Sequence, residues 1–443
     1  SKGRDIEGSK TMRIEFYLSG SARLRYGSSA MLYFAQGLPY GLLSIAIPAW
    51  LASQGLEAGA IASYLAVIIL PWAFKLATGP LMDRFKFPSM GQRRPWVLGA
   101  QLGLTISLLS LGLVDDPMSQ LPLLTMLGLV TNCFAATQDV AVDGMAIDLV
   151  PEAEHGRINA FMACGKAIGW ASTAAGSGWL LVNYGLAMAG LVASVIAGIV
   201  FVAFLFVRER EGESLLPWTQ GEASQSHAHI PDLRSVFSSL KGVLWSRPSQ
   251  VILAVMLVDG LVSGYGHALM PIAAVNLFGF TTGEWSNLVA VMGLTGAFAA
   301  LALGPVIDRV GAKRMFMLTI LLVAVHAFLL AGTQHMWDNS FYVRGMLSAW
   351  VLMGPVTMVC AIAIAMSICT KGVSATQFAI YMSTANLGAS IGSKLFGMAS
   401  EHASYSQSYL LMGVLFVSLL LIVTIFRKEH PGQSLSGEEG AGG

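Results

Sequence analysis

Long apolar runs broken by short polar joints dominate the chain. A membrane-crossing helix needs roughly 20 mostly apolar residues. Twelve runs meet that length, at 28–52, 60–82, 96–114, 121–147, 157–180, 185–207, 248–275, 283–306, 315–333, 342–369, 373–397 and 406–426. They predict an all-α membrane protein of twelve transmembrane helices in two pseudo-symmetric six-helix bundles. The bundles span 28–207 and 248–426, joined by a polar linker at 208–247. Residues 1–27 are polar, lack an initiator Met, and are set aside as a cytoplasmic segment that need not be native. Residues 427–443, ending GEEGAGG, are expected to be disordered.

Composition agrees. The 443 residues are 55% hydrophobic and 12% charged, about half the charge of a soluble domain, and mean hydropathy is +0.65. A net charge of +1 gives no footing for nucleic acid. Cys133, Cys164, Cys360 and Cys369 lie in apolar runs with no metal or disulfide spacing, and read as small core residues. Basic residues gather in alternate loops, including Arg84, Arg93, Arg94, Arg157, Arg309, Lys313 and Arg314. The intervening loops, such as SQGLEAG and DDPMSQ, carry almost none. The positive-inside rule then puts both termini and the linker in the cytoplasm. An odd helix count would mix the two sets.

The halves echo each other. AQGLPYGLLSIAIP, ending at Pro48, aligns with VDGLVSGYGHALMP, ending at Pro271, so Gln36 falls on Asp259. GPLMDR at Gly79–Arg84 matches GPVIDR at Gly304–Arg309. RINAFMACGK faces QFAIYMSTAN at a spacing of 220, pairing Lys166 with Asn386. Six-helix repeats meeting at a central site are the architecture of alternating-access carriers.

The two Gly–turn–Asp-Arg loops, GPLMDRFKFPSMGQRR and GPVIDRVGAKR, resemble the cytoplasmic loop motif of the major facilitator superfamily. On that reading Asp83, Arg84, Arg93, Arg94, Asp308, Arg309 and Arg314 brace and gate the inner face. FAQGLPYGLL, LPWAFKLATGPLMDR, TQDVAVDGMAIDLVPEAEHGR and VSATQFAIYMS together resemble the peptide–acetyl-coenzyme A transporter family within it. That family includes muropeptide permeases of bacterial inner membranes, acetyl-CoA transporters and siderophore importers. The resemblance implies a proton-coupled importer of an anionic or polar solute, working in the inner membrane by alternating access. It also implies that the first, fourth, seventh and tenth helices line the cavity. No cofactor is expected beyond the coupling proton, and a monomer in the bilayer is.

An ionisable group at membrane depth costs roughly 2.5–3.5 kcal/mol on insertion scales, so each marks a candidate function. Asp139 and Asp143 lie one turn apart, with Asp148 beyond. Asp139 is read as the coupling acid or as half of a fixed pair with Lys75 or Lys166. Asp143 and Asp148 are read as latches to Arg84, Arg93 or Arg157, with Asp143 retained as a second proton candidate. Lys166 is read as a contact for a solute anion or as the partner of Asp139. Asp259, in a glycine-rich stretch expected to kink or unwind, is read as proton carrier, solute contact or buried acid. Lys394 is expected to snorkel to the interface. Gln36, Tyr40, Lys75, His267, Trp350, Gln377, Tyr381 and Asn386 complete the candidate solute lining, while Trp72 reads as packing.

Two rivals stand against a muropeptide carrier. One is a siderophore or acetyl-CoA carrier on the same scaffold. The other, from another class, is a receptor that does not transport. A membrane-embedded enzyme finds little footing, since the chain has no HExxH and no CxxC.

Overall fold

The computed structural model describes residues 16–78, 81–82, 88–151, 154–219, 241, 244–369 and 374–425. Asp83 and Arg84, most of the linker, the tail beyond 425 and the Asp308 side chain lie outside the described residues. Twelve long helices are described: α1 (Ala22–Ser53), α2 (Ala58–Phe74), α3 (Arg94–Leu113), α4 (Leu121–Leu149), α5 (155–184), α6 (186–205), α7 (Arg247–Asn276), α8 (Thr282–Ala302), α9 (Ala312–Gly332), α10 (Ser340–Ser367), α11 (Ser374–Ser400) and α12 (Tyr405–Ile425). The break between α5 and α6 is Gly185, whose φ of 78° only glycine adopts cheaply. Several helix starts are capped by side chains. Ser21 caps α1, Thr281 and Glu284 form a capping box on α8, and Asn339 caps α10.

Each bundle is built on a close glycine crossing. Gly37 and Gly41 of α1 lie against the α5 backbone at Lys166 and Trp170, while Gly165 and Gly169 return the approach at Ala30 and Phe34. In the second bundle Gly260 and Gly264 of α7 meet Ala385 and Ala389, and Gly388 and Gly392 meet Leu257 and Leu261. A Cβ at any of these positions would enter neighbouring backbone. Without a hydrophobic force between helices in lipid, such contact is what van der Waals packing supplies.

The crossings also correct the repeat register. Gly37 and Gly260 are 223 positions apart, whereas the backbones they meet, at Lys166 and Ala385, are 219 apart. The Gly41–Trp170 and Gly264–Ala389 contacts give the same offset. The fifth and eleventh helices therefore align at 219, not 220. Lys166 corresponds to Ala385, and Asn386 to Ala167.

The expected break near Asp259 is also corrected. α7 is continuous through Asp259, because Gly260 and Gly264 are held against α11. The irregularity lies in its repeat mate. After Pro39, residues Tyr40–Ala46 of α1 wind as a π-helix. Proline lacks the N–H that would continue the regular ladder.

The halves meet along α2–α11 and α5–α8. Among the described residues, four side-chain hydrogen bonds cross between the bundles. Thr282 donates to Ser53 (3.2 Å), Lys394 to Ser63 (3.0 Å), Ser390 to the Ala66 carbonyl (2.7 Å) and Asn386 to the Trp72 carbonyl (3.3 Å). All lie from mid-depth toward the end opposite the termini. That end is closed, and the end carrying the termini has no such bond among the described residues.

The segment before α1 is not passive. Phe16–Tyr17 pairs in parallel with Val207–Arg208, just after α6. Glu209 then accepts from the backbone N–H groups of Gln92, Arg93 and Arg94 at 2.9, 2.6 and 2.5 Å, capping the start of α3. The first residues of the 208–247 linker therefore belong physically to the first bundle.

Candidate functional site

α4 carries Asp139 and Asp143 toward α1, α2 and α5, and the polar groups of those helices converge there. Asp139 is 5% exposed. Lys75 Nζ donates to its Oδ2 at 2.8 Å and Gln36 Nε2 donates to its Oδ1 at 2.8 Å. Tyr33 donates its hydroxyl to Asp143. Asp148 pairs with Arg93 at 3.2 Å nearer the end of the helix. The three aspartates thus take three kinds of partner: a lysine, a phenol and an arginine.

Lys166 completes the group differently. Among the described residues it has no carboxylate within ion-pair distance. Its Nζ lies 5.0 Å from the Trp72 ring centre and 5.8 Å from that of Tyr33. Lys75 approaches the same indole at 5.8 Å. An aromatic face steadies an ammonium weakly compared with a carboxylate, so much of the Lys166 charge stays open to an incoming anion. Trp72, read from sequence as packing, is instead the post between two lysines. Its indole N–H donates to Asn132 at 2.9 Å, and its carbonyl receives Asn386 from the other half. Tyr33 and Trp72 both escaped the sequence reading. Tyr33 shares a helical face with Gln36 and Tyr40, at spacings of three and seven, and that was the available signal.

α7 supplies the facing half. Asp259, Ser263 and His267 follow one another at four-residue steps along one face. Asp259 and Ser263 are partly accessible and His267 is exposed, whereas Gly264–Gly266 and Ala268–Ala274 are buried. Asp259 has no hydrogen-bond or ion-pair partner among the described residues. Tyr40, 39% exposed, stands edge-on to Trp170 of α5 at 6.3 Å.

Other candidates sit elsewhere. Gln377 and Tyr381 are fully buried, where Gln377 Nε2 donates to the Tyr381 hydroxyl at 2.6 Å and Tyr381 meets Ser249 at 2.8 Å. They tie α11 to the start of α7 instead of facing open space. Trp350 packs between His326 and Phe416 and lies over Gly266, inside the second bundle. Asn386 lies on the α2–α11 seam. Arg94 is buried and donates to the carbonyls of Leu205, Val207 and Ser214 at 2.6, 2.6 and 3.3 Å. It fastens the chain after α6 through backbone carbonyls. Arg309 and Arg314 are exposed and make no ion pair among the described residues.

An inner-side clasp was not anticipated. Arg25 of α1 holds Glu154, which precedes α5, through a two-pronged contact of 2.7 and 2.9 Å, and also donates to the Leu18 carbonyl at 3.0 Å. The guanidinium keeps the Glu154 carboxyl below its ordinary range. Glu154 lies in the quoted stretch ending PEAEHGR, but its partner Arg25 lies 129 positions earlier in the polar segment set aside, so spacing gave no cue.

The chain matches the family described as Major Facilitator Superfamily over residues 29–393 and 268–442. It is 26% identical over 405 residues to the anhydromuropeptide permease of Escherichia coli (strain K12), covering 90% of this chain and 79% of that relative. It is 23% identical over 382 residues to "Putative transporter AmpG 4" of Rickettsia felis, covering 81% and 85%. Among solved structures, the inward open conformation of the xylose transporter XylE from E. coli superposes with a TM-score of 0.68 at 15% identity, covering 92% of this chain and 98% of that one. The nucleoside transporter NupG does so with 0.68 at 12% identity, covering 92% and 100%. These relatives are permeases and not enzymes. The paired bundles, the charged group at membrane depth and the length of the match have one common account: the chain belongs to the major facilitator superfamily and is a multi-pass membrane transporter.

Proposed function

We propose that the protein is a proton-driven importer of an anionic solute of the muropeptide class across the bacterial inner membrane. The observation that carries this reading is Lys166. It is a cation at membrane depth with two aromatic faces beside it and no carboxylate partner among the described residues. Such a group favours a solute anion. Asp139, one layer away, already holds Lys75. A proton arriving on Asp139 would remove its negative charge and release Lys75, so that two lysines face the solute at once. Asp259 on the opposite half has no hydrogen-bond or ion-pair partner among the described residues, which suits a second proton station. Moving each proton inward gains about 2.3 kcal/mol per 100 mV of membrane potential. The name of the E. coli relative, matched over 90% of this chain, favours muropeptide among anionic solutes.

Reconstituted vesicles loaded at neutral pH and diluted into acidic buffer provide the test. Labelled anhydromuropeptide should accumulate above the outside concentration, and a proton ionophore should abolish the accumulation. Accumulation of a siderophore or acetyl-CoA instead would move the same mechanism to another solute. Binding without accumulation under any gradient would defeat the carrier reading.

A further inference from the structure

α11 presents a stripe to the surrounding membrane at Leu387, Ile391, Lys394 and Met398, in helical steps of three and four. Leu387, Ile391 and Met398 are 39%, 46% and 59% exposed. Lys394 is exposed in the same row. Lys394 lies six residues before Ser400, where α11 ends, which is about 9 Å at 1.5 Å per residue. A lone ammonium in an acyl-facing row needs a counter-charge or a route to water. Among the described residues its partner is the neutral hydroxyl of Ser63, 3.0 Å away on α2.

Beside it a groove runs along the α2–α11 seam, lined by Ala66, Val67 and Leu70 from the first bundle and Ile391, Leu395 and Met398 from the second. The lining is apolar except for Ser390 and Lys394. Ser390 spends its hydroxyl on the Ala66 carbonyl, leaving Lys394 as the one cationic end of an apolar trough.

We propose that this seam binds an anionic phospholipid, with its phosphate on Lys394 and Ser63 and one acyl chain in the groove. Charge complementarity selects the occupant: an apolar trough with a cation at one end matches a chain that carries a negative head. The groove has a wall from each bundle and lies where the bundles touch at the closed end. A lipid seated there therefore favours the conformation closed at that end. The site requires nothing about the transported solute.

The test uses the full-length protein reconstituted in phosphatidylcholine alone or in equal parts phosphatidylcholine and phosphatidylglycerol. Two readouts are followed: lipid retained on the protein by native mass spectrometry, and the rate of cross-linking between Ser53→Cys and Thr282→Cys at the closed end. Phosphatidylglycerol should be retained preferentially and should speed cross-linking several-fold. Lys394→Gln should remove both effects, and Ala66→Phe, which fills the trough but keeps the charge, should also remove them. Glycerol phosphate, a head without chains, should not substitute. Equal retention of phosphatidylglycerol by the wild type and Lys394→Gln would overturn the proposal, as would full potency of glycerol phosphate. A melting temperature for each variant in phosphatidylcholine separates a failure to fold from a failure to bind.

Discussion

Lys75 Nζ lies 2.8 Å from Oδ2 of Asp139, and the other carboxylate oxygen is held by Gln36. The pair joins the turn directly after α2 to α4 while the Gln36 contact joins α4 to α1, so one carboxylate ties three segments of the first bundle. Side chains of Lys75 and Asp139 are 19% and 7% exposed. Removing one partner of a well-buried pair leaves an uncompensated charge, at a cost of about 3–5 kcal/mol. Lys75→Met should therefore lower the melting temperature sharply. Adding Asp139→Asn should recover much of that loss while gradient-driven uptake stays absent. A double variant that regains concentrative uptake would remove Asp139 from the coupling path.

Asp259→Asn tests the second half of the machine. The fold should be nearly unaffected, because the Asp259 carboxylate makes no hydrogen bond among the described residues. Counterflow, in which labelled solute exchanges for unlabelled solute with no gradient, should persist. Accumulation driven by an acid exterior should fall at least tenfold. Loss of counterflow together with accumulation would show that Asp259 touches the solute instead of carrying the proton.

The glycine crossings give a prediction about packing alone. Gly264 lies against the Ala389 carbonyl and Gly392 against that of Leu261. Gly264→Leu has no flexible neighbour to displace, so backbone must part. Overpacking of this kind costs about 1–3 kcal/mol or more. Gly99→Ala, where a Cβ meets nothing within 4 Å, serves as the control. A thermal melt in detergent should separate the two clearly.

The Arg25–Glu154 clasp carries a pH dependence. Because Arg25 holds the Glu154 carboxyl below its ordinary range, the clasp is at full strength once pH exceeds the carboxyl's unfolded value. It weakens as pH falls through the lower folded value. The melting-temperature advantage of the wild type over Glu154→Gln should hold down through the ordinary carboxylate range and shrink only below it. An advantage already shrinking near neutrality would contradict the assignment.

Much of the scaffold was legible in the pattern of residues, because the bilayer imposes one length on every crossing. The span read at 248–275 is α7 at Arg247–Asn276, and that read at 121–147 is α4 at Leu121–Leu149. The Asp139–Lys75 pair was one of two that charge counting allowed, since few buried ions compete for partners. Other features depend on which faces meet, and periodicity does not record that. Gln377 and Tyr381 look like lining residues until Ser249 of another helix closes on them. Glycines look like a site of unwinding at Asp259 until the Ala385 backbone is seen pressed against Gly260. Trp72 shows the opposite error: an indole in an apolar run reads as filler, and only the convergence of Lys75 and Lys166 gives it a role.

The short pairing of Phe16–Tyr17 with Val207–Arg208, backed by the Glu209 cap on α3, has a mechanical consequence. It anchors the chain's leading segment and the root of the inter-bundle tether to the same half. A rocking motion of one half against the other would carry both with the first bundle. Anything pulling on the leading segment would load one half alone.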